Sequence, residues 1–384
     1  MAACYHRTMK RLIGMALLMA ALCGVAAAEP ERQPELLSPE RDSSWRVDAR
    51  ERSHRALVLY FGEQAATAMF LAWLAFSGAA VRLRERVSGR VSRPWARTAV
   101  FIVLILGLLV CVALPFDVAR YFLSRAYGVG RQPLPLWLGD YALALALNFA
   151  LAIPIGLAFY RLLDRRPRTW WRWVAVAAVP LAITAVAASP FYLALFNTFT
   201  PLGDRALAER VLELASRRGI EANEVYVVDM SRQTRAANAF VTGVGPTTII
   251  ALGDTLLENF SDQETLFVMA HEMGHYVYRH IWQGLLAGAL LALAGAYLLQ
   301  GICRFALARY YARMQIDDLA DVASLPLILL AAGLVTFGGQ PIANVLSRHM
   351  EEEADRFALE LTVPGEVSPE APVTSFDRLG PLGP

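Results

Sequence analysis

Long apolar runs separated by short arginine-rich joints dominate the first half of the chain. Near-continuous apolar character marks about 57–81, 98–115, 141–160 and 173–197, and again about 282–300 and 322–340. A helix rising about 1.5 Å per residue needs about 20 such residues to cross a bilayer core. The pattern therefore predicts four transmembrane helices within 57–197 and two more within 281–340. From 198 to 280 the alternation changes to that of a folded, water-facing unit. Asp204 is placed to cap an amphipathic helix ending near Gly219. Val225–Met230 and Asn238–Gly243 read as strands, Gly245-Pro246 as a break, and Thr247–Leu252 as a partner strand. Ser261 followed by Glu264 is the signature of a capping box, opening a helix that runs toward His280. The expected fold class is mainly α: a polytopic membrane helix bundle carrying a small α+β unit at 198–280.

The two ends differ from this pattern. Residues 1–28 place Arg7, Lys10 and Arg11 before an apolar run, Leu12 to Val25, and then Ala26-Ala27-Ala28. That is the layout of a cleaved signal peptide, with an uncleaved first membrane helix as the alternative. Residues 29–56 read as a polar linker, 341–362 as a polar helix, and the Pro- and Gly-rich 363–384 as a disordered tail.

Composition and charge narrow the class. The chain is 56% hydrophobic and 18% charged, a balance that belongs to membrane proteins. A net charge of +2 without a basic, aromatic-studded stripe gives no basis for nucleic-acid binding. Lys10 is the only lysine, and this arginine bias suits a GC-rich bacterial genome. Cys4, Cys23, Cys111 and Cys303 lack any ligand spacing, so neither a disulfide framework nor a thiolate metal site is expected. Arg82, Arg84, Arg86, Arg90, Arg93 and Arg97 crowd the first joint, the stretch 161–172 is also arginine-rich, and Arg304, Arg309 and Arg313 fill the last. The positive-inside rule puts all three joints in the cytoplasm, within an inner membrane. The unit at 198–280 then faces the extracytoplasmic side. Trp170, Trp171 and Trp173 would suit an interfacial belt.

The chemistry lies in His271-Glu272-Met273-Gly274-His275. Residues i and i+4 share one helix face, so both imidazoles reach one ion, while Glu272 stands beside it as a general base. This pattern points to Zn2+, one per chain, with His271 and His275 as ligands. A hydrolytic zinc site takes three protein ligands and leaves a position open. Position 281 is Ile281, so a third histidine at metzincin spacing is absent. In the helix beginning near Pro341, Glu351 and Asp355 share a face with Arg348 one turn earlier. Glu351 can complete the metal shell, and Asp355 can hold the far nitrogen of a ligand imidazole. His280, nine residues after His271, reads as a supporting group.

With HEMGH followed by Ser347-Arg348-His349-Met350-Glu351-Glu352-Glu353-Ala354-Asp355, the chain resembles the type 1 CAAX prenyl proteases, integral-membrane zinc enzymes related to HtpX. Leu114-Pro115-Phe116-Asp117, Asn238-Ala239-Phe240, Asp254-Thr255-Leu256-Leu257 and Pro341 with Asn344 extend the likeness over about 114–360. The resemblance implies that His271, His275 and Glu351 bind zinc, that Glu272 is the catalytic base, and that the membrane helices enclose a chamber. It also implies that the Asn238-Ala239-Phe240 strand pairs with substrate.

The expected activity is thus a membrane-embedded zinc endopeptidase. Its partners are the bilayer and a peptide or membrane protein, in CAAX-box processing or membrane-protein quality control. Relatives carry a further His-Pro near the end, whereas no histidine follows His349 here. His280, His349 or Arg348 then supplies the oxyanion donor. The alternative reading is a zinc-binding membrane scaffold with impaired turnover.

Overall fold

A computed structural model describes residues 44–242, 248–362, 367–368 and 370–375. The expected signal peptide, most of the linker and the Gly245-Pro246 break lie outside the described residues. Helix α1 spans Ser44–Phe76, α2 Ala79–Ser88, α3 Pro94–Ala126, α4 Leu134–Arg165 and α5 Trp170–Ala194. After the mixed unit, α9 spans His280–Met314 and α10 Leu325–Thr362. Six helices among the described residues are long and apolar enough to cross a membrane.

Several helices overrun the apolar runs that announced them. Backbone N–H···O=C bonds close within the helix whatever the side chains are, so a helix does not end where its apolar character does. Helix α1 starts inside the stretch read as linker, α3 continues past Pro115 to Ala126, and α9 carries Arg304, Arg309 and Arg313 on its own last turns. Helix α10 continues from the sixth span through Pro341, so the span and the segment bearing Glu351 are one rod.

The water-facing unit holds a four-stranded mixed sheet in the order β1-β2-β4-β3. Its strands are β1 Phe199–Pro201, β2 Val225–Val228, β3 Ala239–Thr242 and β4 Ile249–Gly253. Strand β2 runs parallel to β4, while β1 and β3 are antiparallel to their neighbours. Among the described residues β3 has no strand on its outer side. Helices α6 (Arg205–Ser216), α7 (Asp254–Asn259) and α8 (Asp262–Val277) complete the unit. Asp204 caps α6 through Leu207 N–H at 3.1 Å. Ser261 opens α8 with both halves of a capping box present.

Two cores form, one at each end of the membrane region. Near the sheet, Leu207, Val211, Ile250, Leu252, Leu266, Met269, Met273 and Phe357 are buried together. At the opposite end Phe101, Ile105, Leu163, Trp170, Cys303 and Leu327 form the second. Trp170 is wholly buried there, edge-on to Phe159, and so belongs to a core and not to an interfacial belt; Trp173 remains exposed. The three arginine-rich joints gather at this second end, where Arg84 pairs with Asp321. The tail is not disordered throughout. Val367 and Ala371 pack into the core beside the sheet, and Ser375 is buried.

Candidate metal centre

Helix α8 places His271 and His275 one turn apart, and α10 brings Glu351 to the same point. The ligand atoms of these three groups lie within 4.8 Å of one another. His271 Nε2 and His275 Nε2 are 3.1 Å apart, and Glu351 Oε2 lies 3.3 Å from the first and 3.7 Å from the second. Tetrahedral zinc bonds of about 2.0–2.2 Å set donors about 3.3–3.6 Å apart. The three donors therefore fit a tetrahedral divalent metal with its fourth position open.

The far side of each imidazole is engaged as well. His271 Nδ1 is 2.8 Å from an Asp355 oxygen. His275 Nδ1 is 2.8 Å from His280 Nδ1, whose Nε2 reaches Glu353 at 3.3 Å. Carboxylates accept, so His271 donates from Nδ1 and keeps its Nε2 lone pair for the metal. When His280 donates from Nε2 to Glu353, its Nδ1 accepts from His275, whose Nε2 lone pair is then free. Two imidazole lone pairs facing each other at 3.1 Å repel unless a cation lies between them. The donor chemistry as well as the spacing thus fits a metal ion.

His280 reaches this position through a break in the chain. Helix α8 ends at Val277, and Arg279 takes a left-handed conformation with φ 57° before α9 begins. This conformation is uncommon for a residue with a Cβ, and at this junction it turns the chain so that His280 faces back toward His275. Read as one continuous helix, the sequence puts His280 on a different face from the ligand pair; the turn at Arg279 overturns that placement. Glu353 was missed for a related reason, since within an acidic run no local signal separates it from Glu352.

Burial shapes the electrostatics. Burial pushes the Glu272 carboxyl up to about 7; the charge of Glu351 adds to this and that of His271 opposes it. Burial alone would lower His271, but its hydrogen bond to Asp355 and the neighbouring carboxylates leave it raised. His275 is lowered by burial and by the positive charge of His271, which favours the neutral form a metal needs.

Of the other site residues named above, Arg348 and His349 are exposed on α10, with His349 Nε2 3.8 Å from Glu353. Asn238 precedes β3, and Ala239 and Phe240 lie in it, at the sheet edge that α8 packs against.

A model of peptidase family M48 matches residues 201–378, and one described as CAAX prenyl protease N-terminal, five membrane helices, matches 30–198. The chain is 32% identical over 311 residues to the Bacillus subtilis uncharacterized metalloprotease YhfN, covering 81% of this chain and 72% of that one. It is 32% identical over 189 residues to CAAX prenyl protease 1 of Saccharomyces cerevisiae, covering 48% and 42% of the two chains. A Dictyostelium discoideum CAAX prenyl protease 1 homolog is 30% identical over 277 residues, 69% of this chain and 63% of that one. The chain thus spans less than two thirds of those two eukaryotic relatives. The crystal structure of S. mikatae Ste24p shares the fold with a TM-score of 0.69, covering 98% of this chain and 97% of that one at 22% identity.

Proposed function

From the premise that this chain belongs to peptidase family M48 and is a membrane metalloprotease, we propose that it is a zinc endopeptidase acting on peptides presented at the membrane. The observation that carries this reading is the convergence of His271 Nε2, His275 Nε2 and Glu351 Oε2 beside a half-buried Glu272. His271, His275 and Glu351 hold one zinc. When bound, zinc polarises the scissile carbonyl and lowers the pKa of the attacking water. Glu272 accepts that water's proton and returns it to the leaving amine, and the burial that raises its carboxyl makes it a stronger base for the first transfer. Asp355 and His280 hold the two imidazoles in their ligating tautomers.

An extended substrate segment adds to the open side of β3, with main-chain bonds from Asn238, Ala239 and Phe240 holding it across the metal. Since His280 is engaged with His275 and Glu353, the remaining candidates to stabilise the oxyanion are Arg348 and His349. Arg348 is favoured because it shares a helix face with Glu351 one turn on, whereas His349 lies 3.8 Å from Glu353.

Two substrate classes suit such a site. One is the C-terminal tripeptide of a prenylated protein, the class named for the CAAX prenyl protease relatives. The other is exposed segments of damaged membrane proteins. The arginine-rich joints all lie at the end away from the metal centre, which supports an extracytoplasmic active site in the inner membrane.

The deciding experiment follows cleavage of a quenched peptide library by the detergent-purified full chain, beside Glu272→Gln. Loss of the base should lower turnover by about 10²–10⁴-fold or more while zinc content stays at one per chain. Cleavage that survives Glu272→Gln refutes the assigned base. An unmutated protein that binds zinc yet cleaves neither the library nor a prenylated peptide is the impaired scaffold instead.

A further inference from the structure

Away from the metal centre, a polar and aromatic cavity lies where the membrane helices meet the water-facing unit. It comprises two adjoining spaces of about 320 and 330 Å3 that share Gln132, Trp137, Tyr141 and Gln233. The second space is walled by Trp137, Tyr141, Tyr192 and Phe196, with the Asp140 carboxylate among them. The rings are ordered against one another: Trp137 stacks on Tyr141 at 5.1 Å, and Tyr192 tilts onto Phe196 at 5.1 Å. Asp140 accepts a hydrogen bond from Gln132 Nε2 at 2.6 Å and a longer one from Gln233 at 3.5 Å. Its nearest cation is Arg232 at 3.8 Å, and that guanidinium donates instead to the Phe196 carbonyl. A carboxylate has about four acceptor positions, so Asp140 has capacity for a further donor.

The location points to the bilayer as the source of that donor. The cavity sits between the start of α4 and the end of α5. These helices join tightly at residues 166–169 at the opposite end, yet α4 packs on α3 and α5 on α9, and the two touch each other little. A gap therefore separates two membrane-spanning helices at this end. Its rims carry exposed Leu134, Leu136 and Leu138 on α4 and Phe191 and Leu195 on or beside α5. Tyrosine and tryptophan at such a level lie among headgroups. An acid within aromatic walls is the chemistry that binds an organic ammonium, and an arginine beside it is the chemistry that binds phosphate.

We propose that this cavity binds the headgroup of a bilayer aminophospholipid, its ammonium against Asp140 between the aromatic walls and its phosphate on Arg232. The headgroup would bridge the membrane helices and the segment that leads into β3. Arg131 N–H donates to Gln233 O at 3.0 Å and Arg235 N–H to Val129 O at 2.8 Å, tying the α3–α4 loop to that segment.

The test is native mass spectrometry of the full chain in detergent, offered dioleoyl phosphatidylethanolamine or dioleoyl phosphatidylglycerol. The readout is lipid retained, independent of proteolysis. The expected result is preferential retention of the ethanolamine lipid, falling about tenfold in Asp140→Asn and in Tyr192→Leu. Two variants are used so that one misfolded protein does not decide the matter, and zinc content reports the fold of each. Equal retention of both lipids overturns the proposal, as does a preference that both folded variants keep. A third outcome also overturns it: unchanged lipid retention with selective loss of cleavage of lysine-containing peptides in Asp140→Asn. The cavity would then read a substrate side chain.

Discussion

Each ligand imidazole is gripped from behind by a different kind of partner. His271 has a carboxylate, Asp355, at 2.8 Å. His275 has a second histidine, buried His280, itself held by Glu353. A carboxylate partner raises the basicity of its imidazole, while the His280–Glu353 pair passes the same influence through one more ring. Removing either partner frees the ring to adopt the wrong tautomer. Asp355→Asn and His280→Ala should each weaken metal binding about 10–100-fold, read with zinc by competition against a chelator of known affinity. Glu352→Gln, a neighbour turned toward Arg356, should leave affinity unchanged. Unchanged affinity in both of the first two variants would remove these residues from the site.

At the scale of elements, the centre depends on how closely α8 and α10 approach. Gly274 makes that approach possible: a Cβ built there would come within 3.1 Å of Ala354 Cα and 3.3 Å of the Phe357 side chain. Backbone cannot yield as a side-chain tip can. Gly274→Val should therefore destabilise the protein by about 1–3 kcal/mol through overpacking and lower its metal content by parting Glu351 from the histidines. Thermal unfolding and metal analysis of the purified variant check this, and a variant with unaltered melting and metal content would contradict the packing argument. The capping box at Ser261 and the left-handed Arg279 bound α8 on either side, so the ligand helix is fixed in length as well as in place.

For the whole molecule, the architecture makes the proposed sidedness testable. The metal centre and sheet occupy one end, and the core around Trp170 with the arginine-rich joints occupies the other. On the proposed orientation, the arginine-rich end faces the cytoplasm and the metal centre faces away from it. In intact cells a membrane-impermeant maleimide should label Asn223→Cys, on the metal side, and leave Ser92→Cys, in the first arginine-rich joint, unlabelled until the membrane is broken. Both positions are exposed. The reverse pattern would place the centre in the cytoplasm.

The membrane helices, the two imidazole ligands and the capped helix bearing them could all be read along the chain, because each rests on interactions within a few residues: apolar run length, i,i+4 spacing, a local cap. Glu351 and Asp355 were legible for the same reason, as residues one turn apart on a helix. The partnership of His275 with His280 and Glu353 depended on tertiary structure, since it needs a left-handed turn at Arg279 and the approach of a helix some seventy residues away. Burial of Trp170, packing of Val367 and Ala371, and the aromatic cavity around Asp140 were likewise invisible, as each joins surfaces contributed by separate elements. Local periodicity carries information about the faces an element owns. Which faces meet is set by packing across the whole chain.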